Sequence, residues 1–491
     1  MRPPSTSNDV LRAHASSLDS AIVILQVRTQ SDNFSGHQEL NDLLTARAAV
    51  QAELDAITYD VLTLPVEIVA QIFCWTLVLS RLQLKSTSRQ EPWRLGQICR
   101  LWREIALSTP QLWNTIEIIA TPHISYHYDE RIRTFLSRAG SLPLAISFTF
   151  DDRGDFFTDY TAPMSRSLAT IVPYSHAWEE VSLCNMTAAS LDTLQLVHHP
   201  LPLLKSLGLD FRTRPYEGKL GTAFNDAPLL WKVDLHNFGS QPFALLWAQS
   251  TSLNIGACTS SALADTLKWT PALVNLRIGT GVMIHAPLPL LPSLPHLRSL
   301  VFPNLLPNPS LQKHFLSHLD VHLRQLKIAV INMAHFPLPL AHPASLEELS
   351  VAIKSEVLAG PSLLEDLATS SALRALKIIA ERHQSNAATF LLRPLIYRLT
   401  HDPEFLPRLE SLTIIILEQP ASEHLFDRTT LSGMLGARCP STGGPLRYFE
   451  LRSRRGLPGL DQQVQKLAEI GTEIILETDP NLAVSVWSTE F

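Results

Sequence analysis

Three histidines have the spacing best suited to chemistry in this sequence: His314, His318 and His322 recur every four residues. On a helix they would share one face, as the ligands of a metal ion can. Asp320 would lie on a different face of that helix, and the HExxH pattern of zinc enzymes is absent from the sequence. Histidines at helical spacing are more often surface residues than zinc ligands. The sequence therefore predicts no metal site.

Sequence patterns that cradle phosphates or activate nucleophiles are missing as well. Gly279-Thr280-Gly281 lacks the third glycine of a dinucleotide-binding loop, and no glycine-lysine pair is followed by serine or threonine. The G-x-S-x-G spacing of a hydrolase nucleophile does not occur either. We therefore expect a protein that is not an enzyme and that needs no cofactor.

Composition and charge restrict the class of partner. Of the 491 residues, 45% are hydrophobic and 18% are charged, which indicates a folded chain. The net charge of -6 argues against a nucleic-acid partner, because phosphates require a basic surface. No apolar stretch has the length of a membrane span or the form of a signal peptide. We expect a cytoplasmic or nuclear protein that does not bind membranes, with its five scattered cysteines reduced.

Residues 1–61 contain two apolar stripes at helical spacing. The stronger stripe consists of Leu40, Leu43, Val50, Leu54, Ile57 and Val61. It is interrupted at Arg47, where one more apolar residue belongs. A weaker stripe runs from Leu11 to Leu25, and a polar stretch from Ser31 to Gly36 separates the two. The pattern predicts a helical hairpin that packs within the chain or, alternatively, a short coiled coil that dimerises.

Residues 62–118 again have helical periodicity. Leu64-Pro65 is suited to a helix start, because proline's missing amide donor costs nothing there. The apolar residues after it, which we expect on one face of the helix, are Ile68, Ile72 and Phe73. Those of a second helix are Leu95, Ile98, Cys99, Trp102 and Ile105. The polar stretch from Ser80 to Pro92 predicts a loop between short helices.

From about residue 144 a unit of the form L-x-x-L-x-L recurs along the chain. Its middle positions are Val181, Leu207, Val233, Leu253, Leu276, Leu300, Leu326, Leu349, Leu376, Leu412 and Phe449. Most copies are 23 to 27 residues apart, the period of a leucine-rich repeat, whereas the last two intervals are 36 and 37. Each copy gives a short strand that is buried only by stacking on the next one. Over 144–491 we therefore expect an α/β solenoid with a parallel sheet; a generic α/β domain is the alternative.

Side chains between the apolar ones should face outward on the concave side of such a sheet. The candidate target-binding residues are Asp210, Asp234, His236, Arg277, Lys327, Lys377, Glu450 and Arg452. Charges of both signs suit a protein as ligand, although ordinary solvated positions would have the same pattern. Proline often precedes a copy, as at Pro202 and Pro271, and suits the start of a strand.

The segment from Leu62 to Phe73, followed by Ile98 to Ala106 and Pro110 to Trp113, closely resembles the F-box. In order, it has the leucine-proline pair, an acidic residue, isoleucine-phenylalanine, a cysteine-x-x-tryptophan helix and a closing leucine-tryptophan. Ile98 stands where the family has valine, and the loop from Ser80 is longer than in the commonest F-boxes. The helices before it look like those of fungal F-box proteins that end in leucine-rich repeats.

This resemblance implies a helical module that binds a Skp-type adaptor, which in turn joins a cullin and a RING subunit. The chain would be the substrate-recognition adaptor of an SCF-type ubiquitin ligase, with an unknown protein target on the repeats. The implied adaptor-binding residues are Leu64, Pro65, Glu67, Ile68, Ile72, Phe73, Ile98 and Trp102. Among these, Ile72, Ile98 and Trp102 also suit the module's own core, together with Trp113. The alternative is a repeat scaffold for protein-protein interaction without a ligase.

Overall fold

The computed structural model describes residues 11, 13–22, 37–55, 63–82, 92–120, 126–150, 161–186, 188–197, 200–211, 223–238, 245–279, 282–283, 292–302, 323–330, 343–353, 360–380, 387–416, 428–440, 443–453 and 473–478. The chain divides into two compact units, Met1–Ser108 and Thr109–Phe491. The described part of the first unit is mostly helical, and the second combines helices with one large parallel sheet. The α/β class predicted from the sequence is therefore confirmed.

In the first unit, residues 13–22 are helical, and four helices of 7 to 19 residues follow them. These are α1 His37–Asp55, α2 Val66–Leu82, α3 Pro92–Ile98 and α4 Arg100–Ser108. Arg47, the polar interruption of the apolar stripe, donates from Nε to Asp19 Oδ1 at 2.8 Å. It also donates to Gln51 Oε1, one turn further along α1, at 2.8 Å. This ion pair joins the two N-terminal helical segments, and it favours a hairpin within the chain.

Local chemistry sets where α2 and α4 begin. The carbonyl of Pro65 accepts from the amides of Ile68 and Val69 at 3.0 and 3.1 Å, while proline itself leaves no amide donor unpaired. The helix α4 follows Cys99, whose Sγ accepts from the Trp102 amide at 3.4 Å. Cys99 therefore takes the place of the usual hydroxyl or carboxylate cap.

The second unit is built on a fourteen-stranded sheet whose neighbouring strands follow chain order. The strands are β1 Thr115–Ala120, β2 Leu144–Phe150, β3 Trp178–Met186, β4 Ser206–Phe211, β5 Lys232–His236, β6 Ser252–Ile255, β7 Asn275–Ile278, β8 Ser299–Phe302, β9 Gln325–Val330, β10 Glu348–Ile353, β11 Ala375–Ala380, β12 Ser411–Ile416, β13 Tyr448–Ser453 and β14 Glu473–Thr478. The helices are α5 Tyr126–Ala139, α6 Thr161–Ile171, α7 Ala188–Leu194, α8 Ser260–Trp269, α9 Gly360–Thr369, α10 Ala387–His401 and α11 Arg428–Arg438. Short 3₁₀ segments lie at Pro110–Leu112, Val172–Ala177, Trp247–Gln249 and Pro343–Ser345, and Cys258–Thr259 pairs separately with Val282–Met283. Consecutive strands are parallel, so each connection must cross back before the next strand begins.

The middle positions of the recurring unit pair with one another in register. Leu207 lies opposite Val233, and Leu276 lies opposite Leu300. These side chains belong to one buried row that crosses the sheet. Burying one such side chain contributes roughly 1.5–3 kcal/mol, and each strand obtains that burial only beside its neighbours.

A recurring turn explains the prolines that precede many strands. The amide of Leu204 donates to the Leu201 carbonyl at 3.2 Å, and that of Leu273 donates to the Thr270 carbonyl at 3.2 Å. The second position of each four-residue turn is a proline, whose fixed φ suits that position and which needs no donor there. The proline thus belongs to the turn before the strand and not to the strand itself.

The sheet extends beyond the copies that the sequence identifies. It includes β1 and β2, and it therefore begins at Thr115, upstream of residue 144. The strand β1 contains isoleucines but no copy of the L-x-x-L-x-L unit, so periodicity alone did not reveal it. The two widest intervals between copies contain α10 and α11.

Candidate functional site

The first unit exposes a row of apolar side chains on α2. Ile68, Ile72 and Trp75 are separated by four and three residues, so they share one side of the helix, the α2 face. Ile72 and Trp75 are 46% and 60% exposed, and Ile98 at the end of α3 is 61% exposed. Leu101 in α4 is also exposed. Exposed apolar side chains in this arrangement are a candidate docking site for another protein.

The opposite side of α2 belongs to the core. Phe73 is 1% exposed, and its ring meets the Trp102 ring edge-on at 5.0 Å between centroids. Phe73 therefore cannot be a surface anchor, which corrects that expectation, and Ile72 and Ile98 lie on the surface instead of in the core. The physical reason is that successive residues of a helix are about 100° apart, so Ile72 and Phe73 face different sides.

The remaining predicted adaptor-binding residues lie near the start of α2 or in α4. Pro65 and Glu67 are exposed, whereas Leu64 and Trp102 are half-buried. Glu67 is in the first turn of α2, where a carboxylate interacts favourably with the positive end of the helix dipole. This end of α2 therefore adds a polar, charged margin to the apolar α2 face.

On the sheet, the residues between the buried ones form two polar rows. One row contains Lys232, Ser252, Asn275 and Ser299, and the next contains Asp234, Asn254, Arg277 and Val301. These eight residues line an open depression of about 210 Å³ across β5 to β8, which we call the sheet depression. Two of the predicted target-binding residues, Asp234 and Arg277, are therefore brought together.

The charges of the sheet depression do not cancel. Lys232 Nζ lies 3.6 Å from Asp234 Oδ2 and offsets its charge. Arg277 then contributes one further positive charge. Partial burial lowers the pKa of Arg277 and the Asp234 carboxylate acts in the opposite direction, but a guanidinium stays protonated at neutral pH. The depression as a whole is therefore suited to a single negative charge.

Asp210 and His236 stand at the ends of β4 and β5, beside the sheet depression. Asn237 Nδ2 donates to Asp210 Oδ1 at 2.8 Å, and Asn237 itself adopts a left-handed φ of 57°. The His236 ring lies so close to Gly256 that any side chain at 256 would collide with it. Asp210 is thus held by a neighbour within the chain, and His236 lies directly against the backbone of Gly256.

Glu450 differs from the expected outward, solvated side chain, since it is only 5% exposed. Its carboxylate accepts from Thr413 Oγ1 at 3.2 Å and from Arg452 Nε at 2.5 Å. These two predicted target-binding residues therefore bind each other. Lys327 and Lys377 are half-buried on the same row as Glu450.

Several residues of the two surfaces were not predicted from the sequence, among them Trp75, Leu101, Asn254 and Asn275. Trp75 continues the spacing of Ile68 and Ile72, so helical periodicity carried one step further would have indicated it. Asn254 and Asn275 occupy alternate positions beside the repeat leucines, and the prediction took only charged residues and a histidine from such positions. Leu101, inside the cysteine-x-x-tryptophan helix, carries no distinguishing signal.

Burial raises the pKa of the Cys258 thiol to about 12, so it is not a nucleophile at neutral pH. The described residues contain no group of three or more metal-ligating side chains and no helix with the length and apolarity to cross a bilayer. The three histidines at helical spacing, His314, His318 and His322, lie outside the described residues.

Comparison with models of known protein families gave no match for this chain, and comparison with curated proteins gave none either.

Proposed function

We propose that this chain is the substrate-recognition adaptor of an SCF-type cullin-RING ubiquitin ligase in the cytoplasm or nucleus. Residues 62–118, which resemble the F-box, bind a Skp-type adaptor and through it the cullin and RING subunits. The repeated strands form a leucine-rich repeat-like solenoid that holds a protein target. The chain itself carries out no chemical step.

The α2 face is the observation that supports this proposal most. The helix that follows Leu64-Pro65 leaves Ile68, Ile72 and Trp75 in water. Burying a large apolar side chain contributes roughly 1.5–3 kcal/mol, so three on one helical side favour a partner that covers them. A groove on an all-helical partner would accept such a row as anchors. The exposed row lies within the same segment that carries the sequence resemblance.

The polar rows of the sheet support the second half of the proposal. A sheet of parallel strands in chain order presents the same position of each repeat side by side, which gives a long surface for an extended ligand. Its side chains include Lys232, Asp234, Asn254 and Arg277, so both signs of charge and neutral amides are available. Protein targets offer complementary groups of all these kinds.

The experiment is co-purification of the full chain with a Skp-type adaptor. We expect the wild-type chain to capture the adaptor. Ile72→Glu should reduce capture by more than about tenfold, because a carboxylate would be buried without a partner in the apolar contact. Ile72 is exposed in the chain alone, so the substitution should leave the fold unchanged.

Ala52→Glu is the matched control, because it adds the same charge at an exposed position of α1. The control should capture the adaptor as the wild type does, and circular dichroism of both variants should match the wild type. Equal capture by Ile72→Glu and the wild type would contradict the assigned contact. No capture by a well-folded wild-type chain would leave only the repeat scaffold without a ligase.

A further inference from the structure

The sheet depression contains polar side chains that make no hydrogen bond and no close ion pair within the described part of the chain. Among the described residues, no hydrogen bond or ion pair involves the side chains of Ser252, Asn254, Asn275 or Arg277. Other polar side chains of the depression do pair, as Ser299 does by donating to Gln325 Oε1 at 2.9 Å. Four polar groups without hydrogen bonds that converge on one concave surface are the usual composition of a binding site.

The charge of the depression selects the ligand's charge. Lys232 and Asp234 offset each other at 3.6 Å, so Arg277 leaves one net positive charge. A carboxylate carries one negative charge and matches the planar donor fork of a guanidinium. A phosphate carries nearly two charges and would meet repulsion from Asp234 without a second cation to balance it. A carboxylate is therefore the better match.

The positions of the two asparagines select the form of the ligand. Asn254 is the register partner of Arg277 on the neighbouring strand, and Asn275 is two residues before Arg277 on β7. Both asparagines therefore lie within about 7 Å of Arg277 along the sheet face. A carboxamide presents one acceptor and one donor group, which is the complement of a peptide unit. The pair is suited to the main chain of an extended peptide.

We propose that the sheet depression binds an extended peptide segment that carries an aspartate or glutamate side chain. Arg277 holds the carboxylate, Asn254 and Asn275 bind the peptide main chain, and Val301 provides an apolar wall next to Arg277. The inference rests on the proposed function only in assigning the target to this face of the sheet. It does not depend on adaptor capture.

The test is selection of peptides from a library of random nonapeptides by the full chain. We expect peptides selected by the wild type to be enriched in aspartate or glutamate at one position, and Arg277→Ala to lose that enrichment. A selected peptide is then remade with glutamine in place of the acid. Its affinity should fall about tenfold, because a hydrogen-bonded charge pair is lost. A third peptide with phosphoserine at that position should bind less tightly than the acid.

Two variants control the selection. Arg133→Ala removes an exposed arginine of α5 and should select the same peptides as the wild type. Asn254→Ala should weaken binding of the selected peptide while its preference for acid over glutamine remains. Circular dichroism should be unchanged in all three variants, since none of these side chains is buried.

No enrichment of acidic residues by the wild type, unchanged enrichment in Arg277→Ala, or tighter binding of the phosphoserine peptide would each overturn the inference. The same preparations are assayed for capture of a Skp-type adaptor. If the chain captures the adaptor but shows no acidic enrichment, the peptide site is wrong and the ligase proposal stands. Acidic enrichment without capture would preserve the site and contradict the ligase proposal.

Discussion

Arg438 is a buried arginine at the end of α11 that binds the backbone at and just after the end of α10. Its guanidinium donates to the carbonyls of Leu399 at 2.6 Å, Asp402 at 2.5 Å and Phe405 at 2.8 Å. Burial lowers the pKa of Arg438, and the Asp402 carboxylate acts in the opposite direction. Carbonyls at a helix C-terminus lack partners within the helix, and the five donors of a guanidinium can satisfy several at once. Arg438 thus holds the end of α10 in place.

Arg438→Met should lower the free energy of unfolding by about 2–4 kcal/mol, because several buried carbonyls lose their donor. Urea denaturation followed by circular dichroism measures the change. Arg133→Met makes the same substitution at an exposed position and should change the free energy by no more than about 0.5 kcal/mol. Equal losses in the two variants would show that the carbonyl contacts contribute nothing beyond the general effect of removing an arginine.

Residue roles were only partly predictable from the sequence. The sequence placed Ile68, Ile72 and Phe73 on one face of α2 and did not reveal which of them would face the core. That choice depends on packing against Trp102, which is distant in sequence. Glu450 is likewise buried by its cross-strand neighbour Thr413, a contact that no local pattern encodes.

At the scale of elements, the recurring leucines determine the stability of the strands. Leu276→Ala should lower the free energy of unfolding by about 2–5 kcal/mol. The Leu276 side chain is fully buried between its partners on β6 and β8, so its removal would leave a cavity. Leu229→Ala is the matched control, since Leu229 is 49% exposed and should cost no more than about 0.5 kcal/mol. Urea denaturation gives both values, and hydrogen exchange should be accelerated first at β6, β7 and β8. Similar losses of unfolding free energy at the two positions would contradict the stabilising role of the buried Leu276 side chain.

The elements were predicted where they repeat and missed where they do not. The strands at Leu207, Val233 and Leu276 follow from the spacing of their leucines, and the parallel order follows because each needs its neighbour for burial. The strands β1 and β14 lack this spacing and obtain their place from pairing with β2 and β13. Pairing between distant segments is tertiary information that composition and periodicity do not contain.

At the scale of the whole molecule, the two candidate surfaces belong to different compact units. The α2 face lies in Met1–Ser108, and the sheet depression lies in Thr109–Phe491. The sequence predicted boundaries near residues 61 and 118, the limits of the segment that resembles the F-box. The structural division falls between Ser108 and Thr109, since Trp113 packs against Phe135 at 5.0 Å and so belongs with the sheet unit.

Because each surface depends on the side chains of its own unit, adaptor capture and peptide binding should be separable. Ile72→Glu should lose adaptor capture and retain the wild-type affinity for the selected acidic peptide, whereas Arg277→Ala should show the reverse. Effects of independent sites usually add within about 0.5 kcal/mol, so the double variant should show both single losses and no larger one. Capture assays and peptide titrations on the same four proteins measure this. A loss of peptide affinity in Ile72→Glu would instead mean that the two surfaces are coupled, and the target would then be held by both units together.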